Sequence, residues 1–220
     1  MTQLIKEGLM DQIYNILRQR IINLQLKPGA KIDIGKIATE FDISETPIRD
    51  ALKKLSKDGL VKIESRRGYY VVKLSKRDIE EIYDLRKLLE SYAFSSSINN
   101  IKSSELDELR DMWINMKNKG KHRIDPQEFY LTDQEFHLKI VKRCENHWLQ
   151  NIFFQIYDLV RICQHMYMDI KSALDEHIAI VDAIKEKDID KAKKLLELHI
   201  DRAKKRILRS MEKLEENIDE

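Results

Sequence analysis

Three observations predict a mostly α-helical chain with one small β-hairpin. Apolar residues recur at three- and four-residue spacing from Leu9 almost to the C-terminus. Only six glycines and three prolines occur in 220 residues, too few for the many turns of an all-β fold. Two short β-type runs, Leu60–Ile63 and Tyr69–Leu74, flank a single turn at Ser65-Arg66-Arg67-Gly68. The chain is 42% hydrophobic and 35% charged, enough apolar content to bury a core. Its length admits one large domain or two small ones.

Each element follows from local chemistry. Leu9, Ile13, Ile16, Leu17, Ile21 and Leu24 form one stripe of a first helix, which ends before the turn at Leu26-Lys27-Pro28-Gly29. Ile34–Phe41 is a short helix with Ile37, Ala38 and Phe41 on one face. Asp42-Ile43-Ser44 is a tight turn. Thr46–Lys57 is the next helix, with Pro47 at its start, Ile48, Ala51, Leu52 and Leu55 inward, and Gly59 at its end. The hairpin follows. From Ser75 onward the pattern is helical. Ser75 is an N-cap with Asp78 in the capping-box position. Helices are expected at about 76–98, 104–119, 126–145, 148–169, 171–187 and 190–216. Asp125 followed by Pro126 is a helix start. The chain thus divides near Ser75 into a small α/β unit, residues 1–75, and a six-helix unit, residues 76–220.

Several classes are excluded. The two cysteines, Cys144 and Cys163, make neither a disulfide framework nor a metal-type pair. No signal peptide is visible over Met1–Leu9, and no apolar run approaches the roughly 18 residues of a membrane span. A cytoplasmic protein without membrane contact is expected. The formal net charge is +2, which taken whole argues against a nucleic-acid partner. That sum hides a split. Residues 1–75 hold 14 lysines and arginines against 9 acids, a net of +5, whereas residues 76–220 hold 26 against 29, a net of −3.

Helix, tight turn, helix and hairpin in this order make a winged helix-turn-helix. The second helix of such a pair lies in the major groove of DNA. Its outer face here carries Thr46, Asp50, Lys53 and Lys57, with Arg49 beside them. Arg49 offers a bidentate fork to guanine. Lys53, Lys57, Arg66 and Arg67 are placed to neutralise phosphates, and the Gly68 hairpin to enter the minor groove. Taken alone, that helix face also fits an ordinary solvated surface; the full order of elements favours DNA. The stretches Leu26-Lys27-Pro28-Gly29-Ala30-Lys31, Ile37-Ala38, Ile43-Ser44-Glu45-Thr46-Pro47-Ile48-Arg49-Asp50-Ala51-Leu52, Asp58-Gly59-Leu60-Val61 and Arg67-Gly68 resemble the GntR family of bacterial transcription regulators. The resemblance covers about residues 5–75 and implies binding to double-stranded operator DNA. It departs at Glu45, where the family usually has Arg. An acid there repels phosphate and accepts from a cytosine amino group.

In the second unit, Asp133 and His137 share a helix face with Tyr130, Ile140, Val141 and Cys144. His177 is centred among Ala173, Leu174, Ile180, Val181 and Ile184. His199 lies among Ala192, Leu195, Leu196 and Ala203. Buried imidazole and carboxylate cost free energy unless paired, and one divalent cation would satisfy all four. One such histidine alone reads as a hydrogen-bonded core residue; four residues on three helices favour the metal. Zn, Ni and Mn all suit this donor set. Arg86 points into the middle of a face drawn by Ile79, Ile82, Leu85, Leu89 and Ala93. It is placed either for an internal pair with Glu90 or for an anionic ligand. Arg161 borders an apolar face and is the weaker candidate. Asp84–Glu90, Asp133–His137, Glu176–Ile184 and Ala192 through His199-Ile200 resemble the FCD effector domain of FadR-like GntR regulators, over about residues 76–210. That resemblance implies one Asp and three His as metal ligands, matched by Asp133, His137, His177 and His199. It also implies a homodimer and a small organic-acid effector over the metal.

The expected function is therefore a metabolite-responsive, metal-containing DNA-binding regulator and not an enzyme. The competing class is a helical metalloenzyme. No histidine has Glu three residues before it, and no His-Glu-x-x-His motif occurs. A third reading keeps the metal as a structural element only.

Overall fold

The computed structural model describes residues 8–120, 123–167 and 173–216. The elements are α1 (Leu9–Ile22), α2 (Ile34–Phe41), α3 (Glu45–Lys57), β1 (Val61–Glu64), β2 (Gly68–Val71), α4 (Lys76–Ser97), a 3₁₀ turn (Ile98–Asn100), α5 (Ser103–Asn118), α6 (Pro126–Lys142), α7 (His147–Tyr167), α8 (Leu174–Lys185) and α9 (Ile189–Glu216). The predicted class is observed: a winged helix-turn-helix followed by helices alone. The helix ends expected at 169 and 171 lie outside the described residues. The helix expected over 126–145 stops at Lys142, and Asn146 caps α7, its Oδ1 accepting from the Leu149 N–H at 3.0 Å.

Contact density separates two compact units. The first runs to Asp78 and also includes Tyr157–Met166, so a piece of α7 that the sequence placed in the second unit belongs with the first. Its core joins Ile13, Leu17 and Ile21 of α1, Ile37 of α2 and Ile48, Leu52 and Leu55 of α3. Asp42, at φ 55°, makes the tight turn between α2 and α3. Gly59, at φ 78°, ends α3, and the Leu60 N–H returns to the Leu55 carbonyl at 2.9 Å. β1 and β2 pair antiparallel in the register Val61↔Val71 to Glu64↔Gly68. Gly68 is therefore part of the second strand, and the hairpin turn is Ser65-Arg66-Arg67. The sequence analysis assigns no element to Ala30–Ile32. In fact the Ile32 N–H bonds the Tyr69 carbonyl and the Val71 N–H bonds the Ala30 carbonyl, which covers the outer edge of β2.

Within this unit, Ile162 is fully buried in the core and Leu159 packs on it. Arg18 of α1 grips Asp158 bidentately, Nε to Oδ2 at 2.5 Å and Nη2 to Oδ1 at 2.6 Å. Burial pushes the Asp158 carboxyl up, and Arg18 and Arg161 offset only part of that. Removing one partner of a buried pair leaves a desolvated charge behind. Arg18→Met should therefore destabilise the unit by about 2 kcal/mol at neutral pH. A carboxyl raised on folding disfavours the folded state once ionised, so the deficit should shrink as pH falls and Asp158 protonates. Urea unfolding of both proteins at neutral and acidic pH measures this; a pH-independent difference would contradict it.

The second unit buries Leu106, Leu109, Trp113 and Met116 of α5, Phe129, Phe136 and Ile140 of α6, Ile180 and Val181 of α8, and Leu196 and Ile200 of α9. The inward face of α4 differs from expectation. It is Ile79, Tyr83, Arg86, Glu90, Ala93 and Phe94. Leu85 is 37% exposed, and Leu88 and Tyr92 are 68% and 57% exposed. The helix turns its polar pair inward because both charges find partners there, and an apolar stripe is left on the surface.

Candidate metal centre and nucleic-acid face

The ligand cluster arises from helix periodicity. Asp133 and His137 sit one turn apart on the buried side of α6, His177 on α8 and His199 on α9. All four are essentially inaccessible to water. One donor atom from each falls within 4.8 Å of every other. His177 Nε2 lies 3.2 Å and His137 Nε2 3.7 Å from Asp133 Oδ1. Donors around a cation at about 2.1 Å stand roughly 3–4 Å apart, so closure needs only a small contraction.

The orientation of the rings is more telling than their proximity. His137 Nδ1 meets Glu90 Oε2, His177 Nδ1 meets the Ala173 carbonyl at 2.8 Å, and His199 Nδ1 meets Glu176 Oε2 at 2.8 Å. Each acceptor fixes the Nδ1–H tautomer of its ring and turns the Nε2 lone pair toward the cluster. The His137 and His177 Nε2 atoms are buried with no hydrogen-bond partner among the described residues. A buried nitrogen without a partner is costly, and a cation supplies the missing one.

Burial and Arg86 work to lower His137, but Glu90 and Asp133 outweigh them and raise it, so a cation would displace a proton there. Burial works to raise Asp133, but His137 and His177 outweigh it and hold the carboxyl well below its usual range. Burial and His177 push His199 down to about 3, so it is a neutral imidazole at physiological pH. Burial opposes ionisation of Glu90, yet Arg86 and His137 bring it down to about 2. Burial likewise opposes ionisation of Glu176, which His199 and Arg206 hold down at about 2.

Of the two effector-binding arginines expected, Arg86 is fully buried, and its Nε donates to Glu90 Oε1 at 2.6 Å. The internal pair is thus formed, and Glu90 bridges Arg86 to His137. Arg161 is not brought to this cluster. It lies in the α7 piece that joins the first unit, where burial lowers its pKa against the pull of Asp158. Two neighbours escaped sequence reasoning. Glu176 directly precedes a ligand in the chain, and only the packing of α8 against α9 shows that it serves a different one, His199. Trp113 stacks on the His177 ring with centroids 4.2 Å apart and planes at 17°. Its place on the Leu106, Leu109, Trp113, Met116 stripe marks it as core and gives no hint of the imidazole.

On the first unit, Thr46, Arg49, Asp50, Lys53 and Lys57 are all exposed along α3. Arg66 and Arg67 are exposed at the hairpin tip. Arg49 lines a cleft of about 590 Å³ with Lys31, Lys36, Gly68 and Tyr69. Arg49 Nη2 donates to Glu45 Oε2 at 2.7 Å, and Lys53 Nζ to Asp50 Oδ1 at 2.9 Å. Arg49 and Lys53 are thus each tethered to an acid of the same helix.

Residues 9–71 match bacterial regulatory proteins of the gntR family, and residues 81–202 match the FCD domain. The chain is 29% identical to the uncharacterized HTH-type transcriptional regulator YdhC of Bacillus subtilis over 210 residues, 94% of each protein. It is 31% identical to the gluconate operon transcriptional repressor of the same organism over 182 residues, 78% of this chain and 74% of that one. The fold is shared with a GntR structure from Rhodococcus sp. RHA1 at 23% identity and a TM-score of 0.78, covering 91% of this chain and 98% of that one.

Proposed function

Because the chain belongs to the GntR family of transcriptional regulators and carries an FCD domain, we propose that it is a homodimeric repressor or activator whose second unit holds a divalent metal and senses a small carboxylate. The observation that carries this reading is the convergence of Asp133, His137, His177 and His199 with all three Nδ1 atoms already engaged. A cation held there offers a Lewis-acidic position to an anion. Asp133 would supply the charge and the three imidazoles the nitrogen donors, His137 giving up a proton, while Glu90 and Glu176 hold two of the rings. The relative named for a gluconate operon favours a carboxylate, since gluconate is one. The exposed stripe of Leu85, Leu88 and Tyr92 supports a second copy of the chain as partner. Two reading heads in a homodimer fit a near-palindromic operator. Thr46, Arg49 and Lys53 would face the major groove, and Arg66, Arg67 and Gly68 the backbone and minor groove. Among the described residues no helix is long and apolar enough to cross a membrane, and we place the protein in the cytoplasm. The named relatives are regulators, and we assign no catalytic step to the cluster.

Elemental analysis of protein purified without chelator or affinity metal tests the site. About one equivalent of a divalent metal per chain is expected; less than half an equivalent contradicts the reading. For the reading face, Arg49→Ala should weaken a specific duplex by about 1–3 kcal/mol and relax preference at one position. Unchanged binding across sequences would remove Arg49 from the readout.

A further inference from the structure

The acid at position 45 stands where a DNA-reading helix enters the groove, a place where a negative charge costs phosphate affinity. Its partner is specific. Glu45 occupies the first turn of α3, and Arg49 lies one turn further on the same exposed face. The carboxylate accepts from Arg49 Nη2 at 2.7 Å, with both side chains 49% exposed. An exposed pair at this spacing contributes little to folding. Stability therefore gives no reason for it. What the pair does fix is direction. A free arginine on a flexible stem falls onto the nearest phosphate as readily as onto a base. The guanidinium has five N–H donors, so its bonds to Glu45 and Tyr69 still leave donors for a base edge. The carboxylate meanwhile repels the phosphates on either side of the groove. Tyr69 of β2 lines the same cleft as Arg49 and confines it from the hairpin side.

We infer that Glu45 is a specificity-determining positioning residue, holding the Arg49 fork toward a guanine edge and away from the phosphate backbone. The inference rests on Arg49 being a base-reading residue, as proposed above. It adds a trade-off: the acid lowers overall affinity and sharpens sequence preference.

The experiment is selection from randomised duplex DNA by the full-length protein, by Glu45→Gln and by Arg49→Ala, each first shown to be folded. Binding of the selected duplex and of its single G→A derivative is then measured. The wild type should enrich a guanine that Arg49→Ala does not. Glu45→Gln should bind random duplex more tightly, while its preference for that guanine over adenine falls fivefold or more. A merely structural role for Glu45 would leave the preference untouched. If Glu45→Gln keeps the same guanine with the same preference, the inference is overturned. If it instead loses a separate cytosine, Glu45 reads a base directly and does not position Arg49. If Arg49→Ala keeps every preference, the reading of Arg49 fails and takes this inference with it.

Discussion

His177→Ala should cost the chain its metal, lowering affinity by roughly a hundredfold or more. Removing even a group that only orients a ligand costs about 10–100-fold, and a ligand is worth more than its orienter. His177 has a further reason to dominate. It is the cluster nitrogen closest to Asp133, at 3.2 Å, and its ring is clamped between the Ala173 carbonyl and the Trp113 face. Glu90→Gln and Glu176→Gln should fall in the lower range, because each releases one ring and leaves the donors in place. The loss is also readable as stability. A cation present at a thousand times its dissociation constant stabilises the folded state by about 4 kcal/mol. Chelator should therefore lower the melting temperature of the wild type by much more than that of His177→Ala. Calorimetric metal titration with both proteins measures the affinities directly. Equal affinities would take His177 out of the site.

Trp113→Ala should destabilise the second unit by about 3–5 kcal/mol, the usual cost of emptying a large aromatic site. The side chain is fully buried, with Phe129 against its edge at 5.6 Å and His177 on its face. Its indole N–H has no hydrogen-bond partner among the described residues. Shape and stacking therefore hold it, and Trp113→Phe should cost much less than Trp113→Ala. Because the indole touches a ligand ring, metal binding should change its fluorescence. The other tryptophan, Trp148, is 79% exposed, so Trp148→Phe isolates the reporter. Denaturant unfolding of the Ala and Phe variants separates the two costs. An equal loss in both would mean that the N–H is engaged after all.

Much of the fold was legible because it is written locally. Turn residues at Pro28-Gly29, Asp42 and Gly59 punctuate the first unit, and the Ser75–Asp78 capping box opens α4 with mutual bonds at 2.8 and 3.2 Å. The four members of the buried Asp/His cluster were legible for a related reason: a polar residue centred on an apolar helical face is conspicuous in one dimension. What escaped is non-local. The grip of Arg18 on Asp158 links positions 140 residues apart, and no periodicity announces it. The rotation of α4 escaped because hydrophobic spacing ranks Leu85 above Arg86. The inward placement of Arg86 and its pairing with Glu90 were among the expectations; the exposure of Leu85 was not. That Arg161 belongs to the first unit escaped in a similar way. Its position on the edge of an apolar face says that something covers that face, not which unit does.

The most direct test of the whole account is one titration. Metal-loaded full-length protein is bound to a selected duplex, with and without a panel of small carboxylates, alongside His177→Ala. A ligand moves this equilibrium only through a difference in affinity between the DNA-competent and incompetent states. At least one acid should shift the apparent DNA affinity fivefold or more, typical of coupled sites, and the shift should vanish in His177→Ala. If one equivalent of metal is bound and no acid in the panel binds or shifts DNA affinity, the cluster is a structural metal site and the sensing function is contradicted.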